Sequence, residues 1–402
     1  MREAILFMQN ERQRILELVE KGTISAQEAI TLLEALEQPS KSTQNVMNDV
    51  SKEGQQSSTE KETLFNEQTK EQQKKDTDFM KHFQDEMQDF RKDLTQIGSI
   101  FMDMMNTAVK KVKEFDVSSP FGDKVEFTHT EEVTAEHVDS VIAELPNGNF
   151  SLESTEGDSF QVICKVKAPL INDSEEETRN HFLEQFVVKE DEGSLRILSQ
   201  LKLVQVNVKV LVPKEQLEKL SVRLMNGSVS LQDIGFDHLK VKTLNGAIKG
   251  SKFNFEKAKI DSSNGSIELT NVRGKDLEAE TLNGRVYLDG ALDEIEAKSV
   301  NGHVVVTTCS TNSSKIKAQT VAGAVELYVP RTISLSGKIV TNFGKVDVGI
   351  QDVSTIESQD QFLSKVVRFD KEVENANRLF IEGESKTGAV LVRYTTTDEQ
   401  HI

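Results

Sequence analysis

The chain has no tryptophan, only two cysteines among its 402 residues, and no apolar run that approaches a membrane span. About 20 consecutive apolar residues are needed to cross a bilayer as a helix, so no spanning helix is expected. Cys164 and Cys309 sit far apart, form no metal-ligand spacing and fall in strand-like runs, which predicts buried, reduced thiols. The opening Met1-Arg2-Glu3-Ala4-Ile5-Leu6-Phe7 lacks the continuous apolar region of a signal peptide. By these rules the chain is expected in the cytoplasm. A basic excess is also missing: 48 Lys and Arg face 66 Asp and Glu, a net charge of −18. That argues against general affinity for nucleic acid or anionic membrane, although a local basic site stays open. A hydrophobic content of 37% with 28% charged residues describes a soluble chain with a modest core, and the length predicts two or three domains.

The motifs of common chemistries are missing as well. None of His82, His129, His137, His181, His238, His303 and His401 forms an i,i+4 metal pair, and there is no H-E-x-x-H. There is no G-x-S-x-G elbow, P-loop, dinucleotide G-x-G-x-x-G or EF-hand loop. No catalytic, cofactor or metal residue is therefore assigned, and a non-enzymatic protein is expected. The rival reading is a carbohydrate-binding or carbohydrate-active protein, adhesin-like or of lyase or glycosidase type. Its carboxylate dyad would come from neighbouring structural repeats, which no sequence spacing announces.

What the chain does have is a phrase that returns about every 19 to 21 residues between Leu224 and Val348. Asn-Gly stands at Asn226-Gly227, Asn245-Gly246, Asn264-Gly265, Asn283-Gly284 and Asn301-Gly302, and Ala322-Gly323 and Phe343-Gly344 hold the place further on. After each glycine comes an alternation, such as Val229/Leu231, Ile267/Leu269 and Val286/Leu288; Ile248 followed by Gly250 is the weak rung. Before each corner run an apolar pair and a hydroxyl: Leu239-Val241-Thr243, Ala258-Ile260-Ser262, Leu277-Ala279-Thr281, Ile295-Ala297-Ser299, Ile316-Ala318-Thr320. Period-2 alternation means strands with one buried face. Asn-Gly is expected to supply positive-φ corner residues. One such repeat cannot bury its own apolar face, so repeats stack and like residues form ladders. Val241, Ile260, Ala279, Ala297 and Ala318 should share one inward column, and the hydroxyls should bond to one another or to corner backbone. A meander of antiparallel Asn-Gly hairpins is the competitor. His303, at a corner position filled elsewhere by Ser228, Ala247 and Arg285, should face outward.

The expected architecture is mainly β: a single-stranded parallel β-solenoid (β-helix-like) domain over 118–402, starting near residue 120. The insert from Asp173 to Glu192, with His181, Phe182, Phe186 and Val187 at helical spacing, reads as one helix on the sheet. Residues 1–38 read as a helical hairpin module, with a capping box at Ser25-Ala26-Gln27-Glu28. Its second helix has no Arg or Lys to meet phosphate, which argues against a DNA reader. Residues 39–63 are polar linker. Over 64–117 the spacing predicts a long amphipathic helix or coiled coil, because Phe83, Met87, Phe90, Leu94, Ile97, Phe101, Met104 and Ala108 make a heptad seam. Phe83, Phe90, Leu94, Phe101 and Met104 are the candidate interaction residues. Self-association, contact with a membrane surface or amphiphile, and docking on the chain's own β domain all remain open for this stripe.

The approach Val208-Lys209-Val210-Leu211-Val212-Pro213, Leu217 and the Asn-Gly corners resemble the bacterial "putative adhesin" β-solenoid domain. The phrase from Glu11-Arg12-Gln13-Arg14 through Thr23-Ile24-Ser25-Ala26-Gln27-Glu28-Ala29 is similar to the helical module that precedes it in YvlB- and LiaX-like proteins of Gram-positive bacteria. This resemblance implies a non-enzymatic role in the cell-envelope stress response, with signalling proteins or membrane-active antimicrobial peptides as partners and no nucleic acid. It also implies a place at the cell surface as an alternative to the cytoplasm, and it supplies no cofactor and no catalytic motif.

Overall fold

The structure, a computed structural model, describes residues 124–395 apart from 135–137, 214–215, 354 and 362–363. The expected hairpin over 1–38, the linker over 39–63 and the amphipathic helix over 64–117 therefore lie outside the described residues.

Each coil consists of a longer strand, a corner and a shorter strand. Longer strands pair in parallel with longer strands, as Gly235–Asn245 does with Gln216–Asn226 and Asn254–Asn264. Shorter strands do likewise: Ile248–Ser251 lies between Val229–Gln232 and the start of Ile267–Asn283. Two parallel ladders thus face each other across one core, and the antiparallel meander is excluded. The register stacks Val241, Ile260, Ala279, Ala297 and Ala318 in one inward column, each fully buried. Apolar residues stack because a strand presents alternate side chains to one face and the next coil covers what each coil leaves open.

The corners differ from expectation in one respect. None of the corner asparagines has a positive φ. Among the described residues the left-handed non-glycine positions of the central coils lie at the opposite bend, at Asp233, Lys252 and Asn271. The asparagines instead form a side-chain ladder. Asn226 donates its amide to Asn147 at 2.8 Å, Asn245 to Asn226 at 2.9 Å, Asn264 to Asn245 at 2.9 Å, Asn283 to Asn264 at 2.8 Å and Asn301 to Asn283 at 2.8 Å. Only a side chain carrying both a donor and an acceptor can propagate such a ladder. The glycines are required by contact rather than by φ alone. A Cβ on Gly227 would lie 1.9 Å from the carbonyl oxygen of Gly148, and one on Gly246 would lie 2.0 Å from that of Gly227. The hydroxyl row completes the corner: Thr243, Ser262, Thr281, Ser299 and Thr320 donate to the carbonyls of Gly227, Gly246, Gly265, Gly284 and Gly302.

The weak rung has a physical reason too. A Cβ on Gly250 would meet the Phe253 ring at 2.4 Å, so the buried phenylalanine fills the place taken by leucine in neighbouring coils.

Both ends of the stack depart from sequence order. The coil of Ser140–Asn147 and Phe150–Ser154 lies between that of Ser194–Ser199 and Gln205–Val212 and that of Gln216–Asn226 and Val229–Gln232. At the far end, Arg378–Ser385 and Val390–Tyr394 enter between Lys315–Ala322 with Val325–Val329 and Ser334–Thr341 with Val346–Val348. Parallel coiling begins at Ser140, not near residue 120. Lys124–Thr134 pairs antiparallel with Ser159–Pro169, which pairs antiparallel with Gln205–Val212. Antiparallel strands also border the other end, where Thr355–Gln361 and Ser364–Lys371 follow Ser334–Thr341. Terminal strands of this kind cover open ladder edges that would otherwise template aggregation.

The helix of the insert spans Glu175–Gln185 and is shorter than expected, because Phe186 and Val187 begin the strand Phe186–Asp191. Ser174 caps it by accepting from the Glu177 amide at 3.2 Å, and Glu175, Glu176 and Glu177 suit the positive end of the helix dipole. Phe182 is buried against Phe127 edge to face, with ring centroids 5.5 Å apart, and stacks on Phe186 at 4.9 Å.

Candidate functional site

The outer face of the longer strands carries charge organised by the repeat. Its positions follow the repeat, so side chains form rows across coils. One row reads Lys219, His238, Lys257, Asp276, Glu294, Lys315; a second reads Ser221, Lys240, Lys259, Glu278, Glu296, Lys317; a third reads Arg223, Lys242, Asp261, Glu280, Lys298, Gln319. Parallel strands lie about 4.8 Å apart, which sets the spacing within a row. These three rows are therefore cationic over the coils of Gln216–Asn226, Gly235–Asn245 and Asn254–Asn264, where Glu218, Asp237 and Glu256 stand beside them, and acidic over the next two.

The acidic half is an ion-pair lattice. Lys298 reaches Glu280 at 2.5 Å and Glu296 at 2.6 Å, while Lys317 reaches Glu296 at 2.8 Å. Within the cationic coils Lys242 pairs with Asp261 at 2.9 Å, and Lys259 joins the two halves through Glu278 at 3.2 Å. Burial pushes the Glu296 carboxyl upward, but hydrogen bonds from Lys298 and Lys317 outweigh it and hold the pKa at about 2. For Glu280 burial wins, and its pKa is raised despite the Lys298 contact. Burial disfavours charged Lys298, yet Glu280 and Glu296 together raise its pKa, so the ammonium stays charged.

The cationic half is less paired. A groove of about 300 Å³ is lined by Lys219, His238, Lys240, Lys257, Lys259 and the carboxylates of Asp276 and Glu278. Lys219, His238, Lys240 and Lys257 are exposed. Burial, and then the charges of Lys242 and Arg223, lower the Lys240 pKa.

A second cavity of about 300 Å³ lies at the end of the stack that carries the helix. It is lined mainly by apolar groups, including Ile171, Phe182, Leu201 and Leu203, of which Leu203 is 62% exposed. Among the described residues no group of three His, Cys, Asp or Glu side chains could hold a metal ion.

Of the residues singled out from sequence, the Asn-Gly corners stand together along one edge of the stack as structural ladders. Phe83, Phe90, Leu94, Phe101 and Met104 lie outside the described residues. His303 is exposed, and its Nδ1 accepts from the Ala324 amide at 3.3 Å. Cys164 is buried in its strand, and burial pushes its thiol up to about 12. Cys309 is only half-buried, because it follows the strand Val304–Thr308 instead of lying within it. Sequence reading missed the cationic groove. Its signal was present in the outward positions, where Lys240 and Lys259 recur at the corner period and Lys219 and Lys257 at twice that period, but like charges at long intervals do not look like a cluster until coils are stacked.

Comparison with known proteins fits this architecture. The Toastrack DUF4097 family model matches residues 173–382, and a SHOCT-like domain model matches residues 10–41. "Uncharacterized protein YvlB" of Bacillus subtilis is 31% identical over 392 residues, covering 96% of this chain and 100% of that relative. Two solved structures bearing the name "putative adhesin" are also similar. The one from Bacteroides fragilis has a TM-score of 0.37 and 12% identity, over 67% of this chain and 97% of that one. The one from Parabacteroides distasonis has a TM-score of 0.35 and 11% identity, over 69% and 98%. With its stacked corner ladders, its family match and a relative aligned along nearly its whole length, this chain belongs to the Toastrack DUF4097 family.

Proposed function

We propose that the chain is a non-enzymatic interaction and regulatory protein of the Gram-positive cell-envelope stress response. In this reading the solenoid is a rigid scaffold, and residues 64–117 carry the working surface that meets signalling proteins, membrane-active peptides, a second copy or a membrane surface. The observation that supports it most is the use made of carboxylates on neighbouring coils. A glycosidase or lyase needs a pair of free carboxylates aimed into a groove, whereas Glu280 and Glu296 are joined through Lys298 and hold coils together, and of the two carboxylates that line the groove, Asp276 and Glu278, the second is paired with Lys259. The relative's alignment along 96% of the chain adds that residues 64–117 and the solenoid stand together in one chain in both proteins. Among the described residues no helix is long and apolar enough to cross a membrane.

The test is an envelope-stress reporter in a Gram-positive host challenged with a membrane-active peptide. Expression of the wild-type chain should shift the reporter response, and Phe90→Glu/Phe101→Glu should abolish that shift. A reporter indifferent to the chain would overturn the proposal. Turnover of a cell-wall or uronate polymer, lost in Glu280→Gln, would establish the carbohydrate-active reading in its place.

A further inference from the structure

We infer that the cationic groove on the longer-strand face binds a soluble polyol phosphate carrying more than one phosphate group. The inference goes beyond the envelope-stress reading and does not rest on it, since the groove is built from the solenoid alone.

The first argument is charge placement. Like charges directly opposite on neighbouring strands destabilise a sheet, yet the register sets Lys240 beside Lys259 and, in the adjoining row, places Lys219 and Lys257 on either side of His238. Structural use of lysine on this same face looks different: Lys242, Lys298 and Lys317 each reach a carboxylate within 2.9 Å. Among the described residues no carboxylate forms an ion pair with Lys219, Lys240 or Lys257. Their mutual repulsion is offset when an anion sits among them. The net charge of −18 does not forbid this, because at physiological ionic strength charges beyond a Debye length of about 8 Å are largely screened and the groove's own field decides.

The second argument is the kind of cation. The exposed donors are lysine ammoniums, which act as point charges toward a tetrahedral, multiply charged phosphate; an arginine fork would suit a planar carboxylate better. Rows running over three coils at about 4.8 Å per step serve phosphates in series rather than one.

The third argument is the rim. Asp276 adjoins Lys257 in the register and closes the groove with a carboxylate, an acceptor suited to ligand hydroxyls rather than to phosphate. Phosphate and hydroxyl together describe a polyol phosphate. A bilayer surface fits less well. The exposed large apolar residues among the described positions are Leu183, Leu203, Phe343 and Phe380, and none of them lines the groove to insert among lipids.

The test is calorimetric titration of the full chain with a soluble glycerol-phosphate oligomer, with inorganic phosphate and phosphatidylglycerol vesicles as separate arms. The oligomer should bind with an affinity that falls as salt rises. Lys240→Glu/Lys257→Glu should weaken it at least tenfold, while Lys124→Glu/Lys165→Glu, the same change of net charge on another exposed strand pair, should change it less than twofold. Unaltered circular dichroism of the groove variant excludes misfolding, and these surface positions make that the expected result. No binding of the oligomer, equal loss in both variants, or binding to vesicles alone would each overturn the assignment.

Discussion

Ser385 donates its hydroxyl to the carbonyl oxygen of Gly323 at 2.7 Å, across 62 residues of sequence. It is the same bond that Thr320 makes to Gly302 one coil earlier, so the late coil occupies a full place in the stack. Thr341, which precedes it in the chain, closes over it by donating to Gly388 at 2.8 Å. The penultimate coil in sequence is thus the outer one in space, and the chain returns to fill the gap.

That insertion makes Gly388 a sensitive position. A Cβ there would lie 1.8 Å from the Gly323 carbonyl oxygen, and backbone on both sides prevents relaxation. Gly388→Ala should destabilise by about 3 kcal/mol in chemical denaturation, the scale of a strained core substitution. Gly157→Ala, where the nearest neighbour is a side-chain methyl at 3.7 Å, should be close to neutral.

Ile260 tests the inward column. It is fully buried between Val241 and Ala279, so Ile260→Asp places an unpaired charge in an apolar interior. The expected loss is ~4 kcal/mol or more. A thermal melt that does not move would contradict the register.

Much of this register was legible in the sequence. The period, the Asn-Gly corners, the inward column and the hydroxyl row all follow from local repetition, and the structure places them in ladders. Coil order at the ends was not legible, because Lys386-Thr387-Gly388 reads as simply the last coil; its neighbours are fixed by long-range pairing that no local pattern encodes. The role of the asparagines was likewise misassigned. Asn-Gly has the same composition whether asparagine turns the backbone or stacks its amide, and only the neighbouring coil decides. For the site, the carboxylate and lysine rows were readable in principle at outward positions, but their pairing depends on which coil lies beside which.

Asn264 tests the amide ladder. Its side chain donates to Asn245 and accepts from Asn283, so Asn264→Ala removes both bonds at an exposed edge. A loss of about 1 kcal/mol is expected from their modest net value in water. Asn264→Asp keeps the acceptor but loses the donor to Asn245, and urea denaturation should find it no more stable than the alanine variant near neutral pH.

Glu296 carries a pH signature. Its folded pKa of about 2 lies below the ordinary 4.5, so the folded state binds fewer protons than the unfolded state as pH falls between these values. Its stabilisation is complete above about pH 4.5 and is lost progressively toward about pH 2. Glu280 acts in the opposite sense, since burial raises its pKa, but it is present in both proteins of the comparison. Melts of wild type and Glu296→Gln across this range should therefore converge as pH drops, and parallel curves would exclude Glu296 as the source.

Whether the chain works as an interaction protein through residues 64–117 is tested most directly by sedimentation velocity. The full chain and its Phe90→Glu/Phe101→Glu variant are compared with and without a membrane-active peptide or anionic vesicles. The wild type should self-associate at rest and change mass when the peptide or vesicles are added, while the variant should stay monomeric and unresponsive. Identical mass and binding for the two proteins would contradict it.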